Sequence, residues 1–251
     1  MTARFPRGRF ATAIVLGLLW SVIATAQTRP STATGEDGRP LRIDGRVVLV
    51  EPDIELSLIT TGGLLEPREA WSRDARRFYA ESVRAHLAAA NAPQAPDFDV
   101  PDDLDPDSRL GQVVRLNEAV ALSISQFLMP GGALATKRDT DGQPRLDWTL
   151  GDGVTELRAA TDADFALFTY VRDSYASGGR TALRVFGFIA GAAMGTGLDI
   201  GGGQQHGIAT LVDLRTGKVV WFNQLARQSG DLRERDEARK SVDLLLEDLP
   251  L

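Results

Sequence analysis

The sequence predicts an α/β fold of the α+β kind, a mixed β-sheet with helices packed on it. Three observations carry that prediction. Residues 165–171 form a continuous apolar run suited to a central strand covered on both faces. Residues 207–214 and 218–223 are two strand patterns joined by Arg215-Thr216-Gly217, a C-terminal β-hairpin that a final helix follows. Between the strands lie amphipathic stretches whose apolar residues recur at three- and four-residue steps. Strands interleaved with helices, plus one antiparallel hairpin, make a mixed sheet.

The elements follow in order. Residues 1–26 read as a signal peptide: Arg4, Arg7 and Arg9 give a basic start, an apolar run extends from Phe10 to Ile23, and Ala24-Thr25-Ala26 precedes Gln27. The apolar core is shorter than the roughly 20 residues of a membrane span. Residues 27–40, rich in Thr, Ser, Gly and Pro, are expected to be a flexible lead-in. The remainder, 41–251, reads as a single α/β domain with insertions at about 92–107 and 180–206. A β-branched run at 46–50 and an alternating stretch at 54–59 flank Pro52, which predicts one strand with a bulge or a strand followed by an edge segment. A helix is expected from Glu66-Pro67, with Trp71, Ala75, Phe78, Ser82 and Leu87 on one face, ending near Asn91. An acidic, proline-rich loop follows. A second helix over 109–128 carries Leu110, Val113, Val114, Asn117, Ala121, Ile124 and Leu128 on its apolar side, stopped by Pro130-Gly131-Gly132. Asp141-Gly142 marks a turn that closes a hairpin, and a shorter helix through Val154, Leu157 and Ala160 precedes the central strand. In the last helix Leu232, Ala238, Val242, Leu245 and Leu249 supply the apolar side.

Composition narrows the function classes. The chain has 251 residues, no cysteine and a formal charge of −6, which becomes −9 once the three leader arginines are removed. An acidic surface repels nucleic acid and anionic lipid, so neither is expected as a partner. An exported chain without cysteine has no disulfides, and it also lacks the lipid-bearing cysteine of a lipoprotein. With no twin arginine in the basic region, general secretion of a periplasmic protein is the expectation.

Catalytic and cofactor patterns are sparse. The sequence holds no G-x-S-x-G or S-x-x-K, and its two histidines are His86, on the first helix, and His206, placed in a glycine-rich loop. No metal is expected: the histidines are far apart, and neither the acidic stretch 97–107 nor Asp139-Thr140-Asp141-Gly142 has calcium-loop spacing. No nucleotide cofactor is expected, because the glycines at 195–203 match no phosphate-cradling spacing. The unusual feature is the apolar stretch 185–198, where Gly187, Gly191 and Gly195 fall at four-residue steps and form a smooth ridge if helical. It reads as a helix buried on the sheet, as a contact for self-association, or as a segment touching membrane in an oligomer. A carboxylate-dependent hydrolase using Glu51, Asp53 or Asp199 requires the fold to bring such groups into one pocket.

Three stretches carry a resemblance: Val50-Glu51-Pro52-Asp53-Ile54-Glu55-Leu56, Asp162-Ala163-Asp164-Phe165-Ala166-Leu167, and the hairpin from Leu211-Val212-Asp213-Leu214-Arg215-Thr216-Gly217 to Lys218-Val219-Val220-Trp221. Their order resembles bacterial secreted proteins and lipoproteins of the envelope, similar in layout to the curli-secretion lipoprotein family and the amino-terminal domain of the Tol-system protein B. The resemblance implies an assembly, scaffold or pore component rather than an enzyme. The leading expectation is a non-catalytic periplasmic protein that supports envelope assembly or secretion through protein–protein contacts.

Overall fold

The apolar run at 165–171 becomes the middle of the sheet. A computed structural model describes residues 26–35, 37–127, 134–139, 141–177, 203–228 and 230–251. In chain order its elements are β1 (Gln27–Thr28), β2 (Ser31–Thr32), β3 (Val47–Leu49), β4 (Asp53–Ile59), β5 (Leu65–Pro67), α1 (Glu69–Ala89), α2 (Arg109–Phe127), α3 (Val154–Thr161), β6 (Phe165–Ala176), β7 (Gln205–Asp213), β8 (Val219–Arg227) and α4 (Arg235–Leu245). The strands form one eight-stranded sheet in the order β1-β8-β7-β6-β4-β5, with β2 also on β8 and β3 also on β6. Both β3 and β4 run parallel to β6, and the other pairings are antiparallel. This is the mixed sheet with packed helices that the sequence predicts.

Two apolar layers result. On one face Leu49, Ile54, Leu56, Leu167, Leu211 and Trp221 pack with Tyr79, Val83 and Leu87 of α1 and Val242 and Leu245 of α4. On the other, Val48, Val50, Ala166, Phe168 and Phe222 pack with Val113, Val120 and Ile124 of α2 and Val154 and Leu157 of α3. Full burial of side chains of this size contributes about 1.5–3 kcal/mol each.

Pro52 marks a bulge, as expected. Leu49 pairs with Leu167 but Asp53 pairs with Tyr170, so β3–β4 spends one residue more than β6 over the same length. The odd step exchanges side-chain parity. Val47 and Leu49 therefore share a layer with Ile54 and Leu56, while Asp53 and Glu55 turn outward.

Several sequence expectations need correction. Residues 27–40 are not a flexible lead-in: β1 and β2 pair with β8, Ala33 N donates to Val220 O at 2.8 Å, and Ala33 is buried. The polar lead-in supplies backbone hydrogen bonds to a sheet edge, which composition does not reveal. Pro67 does not open a helix; it sits in β5, the outermost strand, where a missing N–H is tolerated. The helix starts at Glu69, and its buried face runs through Ser72, Ala75, Tyr79, Ser82, Val83 and Leu87, so Tyr79 and not Phe78 enters the core. Part of the 92–107 loop lies along β3: Ala95 N donates to Val47 O and Phe98 N to Leu49 O, both at 2.9 Å. His206 belongs to β7 rather than to a loop, opposite Arg172 and Ala226.

The β7–β8 hairpin forms as expected. Arg215 N donates to Asp213 Oδ1 and Gly217 N to Asp213 O, both at 2.8 Å. Gly217 has φ +71°, and a Cβ there would strike Gly151 O, so glycine is required. The stretch 185–198 with Gly187, Gly191 and Gly195 lies outside the described residues, as do Asp199 and most of the leader. Among the described residues no helix is long and apolar enough to cross a membrane.

Candidate functional site

The bulge and the second helix together shape a cavity. By turning Asp53 away from the α1/α4 layer, the bulge sets Glu51 and Asp53 at the mouth of a space of about 80 Å³ beneath α2. Its walls are apolar, chiefly Val50, Phe168, Ile208, Ala121 and Leu122. A single water needs roughly 10–15 Å³ on this kind of measure, so the space has room for several waters or for an entering side chain.

Polar groups enter at defined points. Asn117 interrupts the apolar face of α2 and is buried; its Oδ1 accepts from Thr210 Oγ1 at 2.8 Å. That bond fixes the amide, and its Nδ2 has no hydrogen-bond partner among the described residues. Glu51 Oε2 accepts from Val100 N at 3.1 Å, tying the 92–107 loop to the mouth. Asp53 forms a two-pronged pair with Arg172, Nη1–Oδ1 at 2.9 Å and Nη2–Oδ2 at 3.0 Å. The same guanidinium stacks on the Tyr170 ring, 3.8 Å from its centre. Burial pushes the Tyr170 phenol up, Arg172 opposes this, and Asp53, Glu118 and Glu55 add to it, so the phenol stays protonated as a donor.

The structure thus brings Glu51 and Asp53 into one cavity with Glu118, a residue that sequence reasoning missed. The available signal was Asn117, a polar residue on an otherwise apolar helical face with Glu118 next to it. His86 and His206 stay apart from this site. His86 Nδ1 lies 3.2 Å from Asp243 Oδ1, linking α1 to α4, and His206 is exposed on β7. Among the described residues no three His, Cys, Asp or Glu side chains are placed to hold a metal ion.

A second polar region lies on the other face. Asp173 Oδ2 accepts from Tyr175 Oη at 2.5 Å and from Gln205 Nε2 at 3.0 Å. Gln205 Oε1 accepts from Ser241 Oγ at 2.9 Å, and Arg227 reaches Ser241 Oγ and Glu237 Oε2. Tyr175 Oη also accepts from Leu232 N at 2.9 Å, which fastens the chain entering α4 to β6. Burial pushes the Asp173 carboxyl up to about 6, against the pull of its Tyr175 and Gln205 hydrogen bonds. A polar recess of about 260 Å³ adjoins this network, lined by Asp173, Gln205, Gly230 and Arg233 among others.

No protein-family model matches the chain, and no curated protein matches it. Among solved structures it is similar to the PelC dodecamer from Paraburkholderia phytofirmans. The two share 12% identity over 89% of this chain and 98% of that one, with a TM-score of 0.39. A single-substitution variant of the same dodecamer gives 12% identity, 90% and 96% coverage, and again 0.39. Values at that level assign this chain neither a family nor a function.

Proposed function

We propose that this chain is a non-catalytic periplasmic protein that supports envelope assembly or secretion through protein–protein contacts. One observation carries the reading: two of the three carboxylates at the cavity beneath α2 already hold the fold together. Asp53 is spent on Arg172 and Glu51 on Val100 N, which leaves no free pair for acid–base work. The leader-like residues 1–26 and the resemblance to envelope proteins support the compartment. A photo-crosslinking residue in place of Leu122, at the cavity mouth, is expected to capture an envelope protein in a Gram-negative host. Recovery of the intact chain, leader attached, from the cytosol would overturn the proposal.

Two other readings have specific support. The hydrolase reading rests on Glu51, Asp53 and Glu118 sharing one cavity. It predicts turnover by the purified protein that Glu118→Gln abolishes. Self-association is favoured by Leu64 and Leu65, 73% and 62% exposed at the β4–β5 tip. Replacing both with serine, or Gly191→Leu in the glycine ridge, then lowers the mass seen by light scattering.

A further inference from the structure

We infer that the cavity beneath α2 receives an apolar side chain from a lysine- or arginine-rich segment of a partner protein. This rests on the reading of the chain as a protein-contact component and names the chemistry of what it contacts. Three independent observations converge on it.

Size and wall come first. About 80 Å³ of space bounded by Val50, Phe168, Ile208 and Ala121 has room for an aliphatic side chain such as leucine. Leu122 at its edge is 45% exposed, so apolar surface continues from the cavity onto the outside of α2. An entering side chain covers both.

The second observation is the buried amide. Asn117 is 8% exposed and lines the cavity, its Oδ1 held by Thr210 and its Nδ2 without a partner among the described residues. That donor is open to water in the free protein, and an incoming group that displaces the water must replace its hydrogen bond or strand the N–H at about 1–3 kcal/mol. A carbonyl oxygen on an incoming backbone satisfies that donor, whereas an aliphatic molecule alone does not.

Charge selects the partner. Glu51 and Glu118 line the mouth without an ion-pair partner among the described residues, Asp53 is paired with Arg172, and the exposed Arg115 on α2 is the nearby cation in sequence that offsets part of this charge. Across the 92–107 loop, Asp99, Asp102, Asp103, Asp105 and Asp107 are exposed and form no ion pair among the described residues. This field repels acidic segments and draws basic ones, most strongly at low salt.

The test uses the purified full chain and a fluorescein-labelled peptide, Lys-Lys-Ala-Leu-Ala-Lys-Lys, with binding read by anisotropy. Expected are saturable binding that weakens as salt rises, at least a tenfold loss when the peptide leucine becomes alanine, and a similar loss with Glu118→Lys. Glu118 is exposed, so that variant keeps the fold, which thermal melting verifies. Ala121→Leu, which fills the cavity, serves as a second variant and is expected to remove the leucine preference. No binding overturns the inference, and so does binding that depends on the lysines but ignores the leucine, because that is adhesion to an acidic surface. If peptide binding fails while crosslinkers elsewhere on the chain still capture envelope proteins, the cavity assignment falls and the protein-contact reading stands. If no position captures a partner, that reading falls as well.

Discussion

Asn223 and Asn117 are both buried amides beside the same sheet, on opposite faces, and they are satisfied in opposite ways. Asn223 Oδ1 accepts from Arg29 N at 2.9 Å and Gln224 N at 2.8 Å, while its Nδ2 lies within reach of Leu244 O and Leu245 O at the end of α4. One side chain thereby joins the lead-in, β8 and the last helix. Asn117 has one side-chain partner among the described residues, Thr210, and lines a cavity. Through Asn223 the α1/α4 face uses polar side chains as internal fasteners, although Tyr79 Oη and Trp221 Nε1 are buried there without a partner among the described residues. The α2/α3 face leaves one donor and the Glu118 carboxylate without a partner, among the described residues, at an opening that Glu51 and Asp53 also line. A polar group answered from within the fold works as a fastener, and a donor left open beside a space is available to whatever enters it.

The largest expected effect breaks the fastener. Asn223→Leu strips the side-chain partner from Gln224 N and Leu245 O, while Arg29 N keeps Gln224 O and Leu244 O keeps Glu247 N, and it should lower stability by about 3 kcal/mol. The matched change Asn117→Leu strands only the Thr210 hydroxyl and should cost about 1 kcal/mol. Urea unfolding of both variants measures the difference directly. Equal losses would erase the contrast between the two faces.

Asp173 sharpens the same contrast through pH. Its folded pKa of about 6 lies above the ordinary 3.8, so between those values the folded state binds more protons than the unfolded one. The contribution of Asp173 to stability therefore falls as pH rises from about 4 to about 6 and stays at the lower level above it. Asp173→Asn keeps an oxygen acceptor for Tyr175 and Gln205 but never ionises. It should lose that slope and exceed the wild type by about 2 kcal/mol at pH 7–8, with no advantage at pH 4.

Much of the fold was legible because local pattern and global packing agree. The run at 165–171, the hairpin closed by Gly217 and the three-and-four spacing on α2 each translate into an element, α2 to within a residue, whereas β6 runs on to Ala176 and β8 to Arg227, beyond the apolar patterns that announced them. Failures occurred where long-range pairing overrode composition. Nothing in residues 27–34 announces that β8 has an open edge, and Pro67 looks alike at a helix start and on an edge strand. The candidate site was half legible. Glu51 and Asp53 stood out as carboxylates beside a bulge, but Glu118 joins them only because α2 crosses the sheet there, a packing fact with no sequence spacing. Asn117 was read as part of an apolar stripe, and its significance depends on the cavity beside it.

A smaller effect tests whether every polar group on the α1/α4 face is a fastener. The Tyr79 hydroxyl is fully buried and lies toward Thr169 Oγ1, yet neither oxygen has a partner in hydrogen-bonding geometry. Burial holds that phenol far above its usual range, so it stays neutral throughout. Tyr79→Phe removes an unanswered group and should leave stability unchanged or raise it by up to about 1 kcal/mol. A loss of several kcal/mol in urea unfolding would show that the hydroxyl is bonded in solution.

The smallest stability change belongs to the opening itself. Glu118 is exposed and makes no hydrogen bond or ion pair among the described residues, so Glu118→Gln should shift unfolding by less than about 0.5 kcal/mol. The same change removes one of the three charges at the cavity mouth and should weaken binding of the basic peptide several-fold, with a shallower dependence on salt. Asn223→Leu is expected to do the reverse: a large loss of stability, with peptide affinity retained in whatever fraction stays folded. Opposite responses from the two faces would separate what holds this protein together from what it holds, and parallel responses would show that the cavity has no role apart from the core.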